Sequence, residues 1–488
     1  LRDGSLTDYQ GTFRQDAPTN DQLFGGSNTK QTGKHHELSE VIDLDEEQEQ
    51  SEEEHGIISE EDDDDEEEEK SEVYELVICP KPKKGGMVKG SKQCVKLQET
   101  PESSSYKGRQ KKPRYETQNS NKIDGIDIGT YESISEKFKF TDSFSLFSHC
   151  CGAIFGALLG DAIGSYLEFK PPQSPRVIEE AMQIKGGGPF DLSPGQCTDD
   201  GELTMALLNG LATMPDGKFE LDQIARFYGE WIDSSPFDIG RTISKSFSAI
   251  SKGIHKKMYR GLANRARRKA HLENKPSQSN GGLMRITPLA VFCLRLSEDE
   301  IDAVAKMETS LTHPNKLAQI ASSCYVKTLV YLIKNQEEDR MNAYYYGKRV
   351  AKGTELEEIF DDIEHGIEPQ TTVKPGWLRT AFYYSYKYLK EGYTYYEAIK
   401  KVISLGGDTD TNACIVGGMI GAAVGYESLP SSLLWKLNSW KGTDYKVERP
   451  KFVEPSSAYK IISALLERAP RMLETDHSID SHLTFSVQ

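Results

Sequence analysis

The segment Leu405–Gly425, LGGDTDTNACIVGGMIGAAVG, holds the key to the fold. Gly406 and Gly407 allow a sharp backbone turn. Asp408, Thr409, Asp410 and Thr411 then put two carboxylates and two hydroxyls within four residues. From Ala413 to Gly425 the pattern is apolar and helical, with Gly417, Gly421 and Gly425 at i,i+4 spacing. Oxygen ligands of this kind suit Mg²⁺ and Ca²⁺. Each glycine costs a helix roughly 1 kcal/mol, so a ridge of them predicts close packing of helix backbones.

Both features recur upstream. Gly152, Gly156, Gly160 and Gly164 form a second ridge at strict i,i+4 spacing, in a compact region that begins near Phe144. Thr198, Asp199 and Asp200 stand before the helical pattern Glu202 to Met214. Helix capping alone accounts for a single Asp. It accounts poorly for two close pairs, each beside Thr and each opening a helix rich in small residues. Brought together, four carboxylates repel one another and raise their pKa values, and a divalent cation removes that penalty. The two acidic starts therefore read as two halves of one metal site. They supply oxygens for two ions at roughly 3.5–4 Å separation.

Further helical periods run from Leu221 to Trp231, Leu317 to Ile333, Trp377 to Leu389 and Tyr395 to Leu405, and two-residue alternation is scarce. The predicted fold class is all-α, with one compact domain over 146–474. Residues 1–145 are predicted to be disordered, and 475–488 to be a loose tail. Before Phe147 there are 34 Asp and Glu against 19 Lys and Arg, whereas the whole chain has 76 and 59. The net charge of −17 is thus almost wholly N-terminal. From Asp43 to Glu69, 18 of 27 residues are acidic, and a basic stretch follows from Lys81 to Arg114. Such an acid run is a solubilising tail or a lure for a basic protein partner such as a histone. The basic stretch reads as a nuclear-import signal or as a partner for the acid run.

The eight cysteines show no CxxC pair, which points to a reducing compartment, cytoplasmic or nuclear, and against zinc. The start, LRDGSLTDYQ, is not a signal peptide and lacks an initiator Met. The apolar runs near 150–160 and 413–425 are predicted to be too short for a membrane span of ~20 residues.

Four other groups are candidates. Glu168 ends the first apolar helix pattern, as an exposed end residue or a carboxylate at the mouth of the metal pocket. Asp161, beside the glycine ridge, reads as a buried hydrogen-bonding group rather than a ligand. Ser279-Asn280-Gly281-Gly282 is a turn with the makings of an anion cradle. His313, before Pro314, reads as a helix cap or a surface residue. A basic cluster, Lys256 to Lys269, is a solvated helix or loop, or else a lure for a polyanion.

In order, GAIFGALLGDAIGSYLEF, TDDGELTMAL, SNGGLMRITPLA, LTHPNKLA and LGGDTDTNACIVGGMIGAAVG resemble the ADP-ribosylglycohydrolase family, which includes the dinitrogenase reductase-activating glycohydrolases. The resemblance spans about Ser148 to Gly425. It implies an all-α fold with a binuclear Mg²⁺ centre, and Thr198, Asp199, Asp200, Asp408, Asp410 and Thr411 as metal ligands. It also implies a glutamate at the metal centre, here Glu168, as a general acid/base or gate, and a catalytic aspartate, here Asp238 in Asp238-Ile239-Gly240. Asn280, Gly281 and Gly282 would wrap the phosphates and distal ribose of ADP-ribose, with His313 near the ribose. Pro276-Ser277-Gln278-Ser279 departs from the glycine- and aromatic-containing loop of some animal members. The activity implied is hydrolysis of the bond between ADP-ribose and a protein side chain. The alternatives are hydrolysis of a small ADP-ribose derivative, or an ADP-ribose- or histone-binding scaffold without turnover.

Overall fold

The computed structural model describes residues 77–80, 143–214, 219–336, 340–474 and 481–484. Its helices, in order, are α1 (Ser143–Gly164), α2 (Pro175–Ala181), α3 (Asp199–Ala212), α4 (Leu221–Asp233), α5 (Arg241–His255), α6 (Leu262–Glu273), α7 (Pro288–Phe292) and α8 (Glu298–Thr309). There follow α9 (Lys316–Lys334), α10 (Arg340–Ala351), α11 (Glu357–His365), α12 (Leu378–Glu391), α13 (Tyr395–Ser404), α14 (Thr409–Val424), α15 (Ser431–Ser439) and α16 (Ala458–Glu474). From 143 to 474 the described residues form an all-α domain, as the periodicity predicts. The readings of 1–145 and 475–488 lie outside the described residues, with three exceptions. Val77–Pro80 and Ser481–Thr484 pair as a short antiparallel ladder, and α1 begins at Ser143.

The centre of the domain is the α1–α14 pair. A methyl group on Gly156 would run into the Gly417 carbonyl, and one on Gly152 into the Gly421 carbonyl. Farther along, Gly160 faces Ala413 and Gly164 faces Thr409 and Asp410. The two ridges thus interlock with no side chain between them. Tyr395 of α13 closes the seam by donating to the Gly156 carbonyl at 2.6 Å.

This pairing has a consequence for function. Because α1 and α14 cross backbone to backbone, the C-terminal end of α1 lies directly on the N-terminal turn of α14. Thr409 Oγ1 donates to the Gly164 carbonyl at 2.7 Å. Glu168 and the Asp408–Thr411 turn are brought side by side.

One sequence expectation is corrected. Ser145–Leu167 is long and apolar enough to cross a membrane, but 89% of its apolar window is buried in the fold. The apolar run continues through polar residues, which made it look shorter. Here it is a core helix, covered by α14, α16 and their neighbours.

Candidate metal centre

Four segments build the site. After α1 a single 3-10 turn, Ser165–Leu167, delivers Glu168. The Phe169 N–H donates to the Gly407 carbonyl (2.8 Å), and the Gly407 N–H donates to the Lys170 carbonyl (2.9 Å). Gly406 and Gly407 have φ of 70° and 81°, and a side chain on either would strike Lys170 or Thr371 backbone. Only glycines fit this turn, and it aims Asp408 inward.

On the other side, α3 starts three residues and α14 four residues earlier than the apolar pattern suggested. The acidic residues sit inside the first helical turns: Asp199 and Asp200 open α3, and Asp408 stands just before α14. Neither Thr198 nor Asp408 caps its helix with its side chain. Simple capping is therefore set aside. Thr198 Oγ1 instead donates to Asp161 Oδ1 at 2.8 Å, and Asp161 also accepts from the Thr198 N–H and the Gly201 N–H. Asp161 is thus a buried hydrogen-bonding group, as expected, and it anchors α3 to α1. Thr411 Oγ1 donates to Asp200 Oδ2 at 3.3 Å, joining the two acidic starts across 211 residues of sequence.

The carboxyl groups converge. Oxygens of Asp161, Asp200 and Asp410 lie within 4.8 Å of one another, as do those of Glu168, Asp408 and Asp410. Asp410 belongs to both groups. All of these side chains are buried, and no Lys or Arg among the described residues pairs with them. Burial is the largest force raising their pKa values, and their mutual repulsion adds to it, opposed in part by local hydrogen bonds. Asp161 is pushed up to about 7, Glu168 to about 8 and Asp199 to about 6, while Asp200 and Asp410 rise well above the usual range. Asp238 is half-buried. Burial first, then the Asp199 and Glu168 charges, push it to about 10, so it keeps a proton and shares it with Asp199.

Glu168 Oε2 and Asp200 Oδ1 are buried with no hydrogen-bond partner. Unpaired buried oxygens are costly, and a divalent cation satisfies several of them at once. The all-oxygen donor set fits a hard ion rather than zinc. The residues present therefore fit the metal that the sequence implied, and Asp161 joins the candidate set.

A pH dependence follows. In the cation-free protein these carboxyls bind protons more tightly folded than unfolded. That contribution to stability is present below the unfolded pKa values of about 4 and is lost as pH rises through the folded values near 6 to 8. Cation binding must expel the same protons. Titration calorimetry with Mg²⁺ at pH 6, 7 and 8 is expected to show tighter binding at each step up. Affinity independent of pH would contradict the clustered-carboxyl arrangement.

Asn280 belongs to the centre. Its Nδ2 donates to Asp408 Oδ2 at 2.7 Å, and its N–H donates to the Gly376 carbonyl. The Gly376–Trp377 segment, not singled out by sequence, therefore borders the pocket. Gly281 and Gly282 have a clear role in packing, because the His313 ring lies against both. His313 is neither a cap nor a surface residue. It is fully buried, and burial together with the Arg285 charge lowers its pKa to about 3, so it is neutral. Arg285 donates to Thr312 Oγ1 and to Glu308 Oε1. His313 Nδ1 meets Thr312 Oγ1, and Nε2 meets Ser279 Oγ at 2.8 Å. Sequence reading missed the wholly buried Arg285–Glu308 pair that braces this loop from below. Asp238 is brought in by Gly240, whose N–H donates to Asp199 Oδ2 at 3.3 Å.

A family model described as ADP-ribosylglycohydrolase matches residues 143–458. The chain belongs to the ADP-ribosylglycohydrolase family. It is accordingly a glycosidic-bond hydrolase. A protein of Acanthamoeba polyphaga mimivirus, L543, is 30% identical over 328 residues, covering 61% of this chain and 94% of its own length. The ADP-ribosyl-[dinitrogen reductase] glycohydrolase of Rhodospirillum rubrum is 24% identical, over 62% of this chain and 93% of its own. The ADP-ribosylhydrolase ARH3 of Homo sapiens is 24% identical, over 60% and 90%. A solved ADP-ribosylglycohydrolase-related protein complex shares the fold, with a TM-score of 0.51 at 20% identity, over 67% of this chain and 99% of that one. The family match thus covers the helical domain up to the start of α16, with all of its acidic centre.

Proposed function

We propose that this glycohydrolase cleaves the bond between ADP-ribose and a protein side chain. We also propose that it does so with Mg²⁺ held by Thr198, Asp199, Asp200, Asp408, Asp410 and Thr411. The observation that carries the reading is a buried carboxyl cluster with unpaired oxygens and no cationic side chain, in a family whose relatives are named for removing ADP-ribose. Two overlapping groups that share Asp410 support two ions. Such ions supply positive charge and lower the pKa of a coordinated water.

The remaining work falls to the chain. Asn280, Gly281, Gly282 and the His313-braced loop would hold the nucleotide beside Asp408. Ionised carboxylates of the centre would stabilise the cationic sugar that develops during glycosidic cleavage. Glu168 would move the proton, because its carboxyl, with one oxygen unpaired, lies within 4.8 Å of those of Asp408 and Asp410. Glu168→Gln is expected to lower kcat roughly 10²–10³-fold with the fold intact, and Asp238→Asn about tenfold or less. A larger loss for Asp238→Asn than for Glu168→Gln in stopped-time product assays would reverse these two roles.

The deciding experiment is ADP-ribose release from two peptides, one modified on arginine and one on serine, with Mg²⁺ and with EDTA. Release from at least one, lost with EDTA, is the expected result. Tight ADP-ribose binding without release would favour the scaffold reading, and cleavage confined to free ADP-ribose derivatives would favour the small-molecule one. A reducing cytoplasmic or nuclear setting is proposed from the scattered cysteines, of which Cys150, Cys151, Cys197, Cys293, Cys324 and Cys414 are free and buried. The acid run Asp43–Glu69 is proposed to engage a basic protein. Unchanged histone retention after its deletion would remove that role.

A further inference from the structure

We propose that Phe169 and Val373 form an apolar lip that receives the polypeptide part of the modified substrate while its sugar enters the carboxylate centre. This rests on the function proposed above and assigns the residues that meet the acceptor.

Glu168 is 4% exposed, whereas the adjoining Phe169 is 67% exposed. Phe169 also has φ of 59°, in the left-handed region that a bulky side chain rarely adopts. Its backbone is held there by the hydrogen bond to Gly407. Among the described residues the ring has no aromatic partner. Strained backbone of this kind persists where the surroundings enforce it, and it gathers at functional sites.

Val373 stands across the same turn. A side chain on Gly407 would strike the Thr371 carbonyl and come within 3.7 Å of Thr372 Cα. The next residue, Val373, is 66% exposed. Three residues on, a Cβ at Gly376 would lie 3.5 Å from Asp408 Oδ2. Two large apolar side chains, each about two-thirds exposed, therefore flank the turn that delivers Asp408.

Single exposed apolar residues need no explanation. A pair on either side of a ligand-bearing turn, one of them strained, forms a surface ready for contact. The deep site is polar and acidic and suits the sugar hydroxyls and the ions. The lip lies outside it, where the acceptor remains. A polypeptide offers apolar side chains there, and water-covered phosphates do not. The competing occupant is the adenine ring, and the experiment separates the two.

The test uses two substrates with the same linkage, identified by the release assay above. One is an intact modified protein, and the other is ADP-ribose joined only to a small fragment of the acceptor side chain. Phe169→Ala and Val373→Ser are each expected to raise KM for the protein, by roughly tenfold for Phe169→Ala. kcat is expected to stay within about twofold, and the small conjugate to be unaffected. Phe169→Leu, which keeps apolar bulk, should restore most of the loss. Retained Mg²⁺-induced thermal stabilisation shows that the Glu168 turn is intact. If KM rises equally for both substrates, the ring serves the nucleotide and the proposal falls. It also falls if all variants match the wild type on the protein. A wild type that hydrolyses neither substrate overturns the functional reading itself.

Discussion

Asp410→Asn is expected to lower kcat/KM by at least about 10³-fold, because this one side chain serves both candidate ion sites. The substitution is isosteric and can keep the Thr411 N–H bond to Oδ1. Burial and its acidic neighbours force the Asp410 carboxyl to take up a proton on folding, a cost the neutral amide avoids, so the cation-free protein should become more stable by about 1–3 kcal/mol. The Tm rise that Mg²⁺ gives the wild type should vanish. Opposite signs in the two measurements are the distinguishing mark. Loss of activity with lower stability in EDTA would mean that Asp410 is a structural residue. Full activity would show that the converging oxygens hold no catalytic ion.

Gly156→Ala should destabilise the domain by about 3 kcal/mol or more, where the same change in an open helix would stabilise it by about 1 kcal/mol. The added methyl meets the Gly417 carbonyl, and that backbone cannot move aside as a side chain could. α1 and α14 would have to separate, and their junction is what holds Glu168 beside Asp408 and Asp410. Activity should fall with stability, although position 156 is two helical turns from Gly164. Urea unfolding with Mg²⁺ present measures the first effect. An unchanged or raised midpoint would refute the backbone-to-backbone contact. Both the acidic centre and the fold thus depend on one seam.

What was legible in the sequence was local. The i,i+4 glycines announced close backbone packing of two core helices, since nothing but close approach justifies so much helix propensity lost; that the two pack on each other came from the structure. The Asp-Thr pairs announced a cluster of carboxyl and hydroxyl oxygens by residue type and spacing. Boundaries shifted by a few residues because a carboxylate can occupy the first helical turn as well as precede it. Sequence could not show that Asp161 both anchors α3 and borders the ion site, because that role needs the Gly201 and Thr198 N–H groups 40 and 37 residues away. Nor could it show that His313 is buried and neutral, which follows from the Ser279–Arg285 segment closing on it.

The sequence by itself determined an all-helical domain, two helices built for close backbone packing and an oxygen-rich centre. Periodicity, turn chemistry and ligand type are properties of a few neighbouring residues. The tertiary structure alone decided which carboxylates meet, which oxygens are left unpaired, and that Phe169 and Val373 stand at the rim. Distance and burial arise only when segments far apart in the chain pack together, and they set both the pKa of each carboxyl and the surface that faces a substrate.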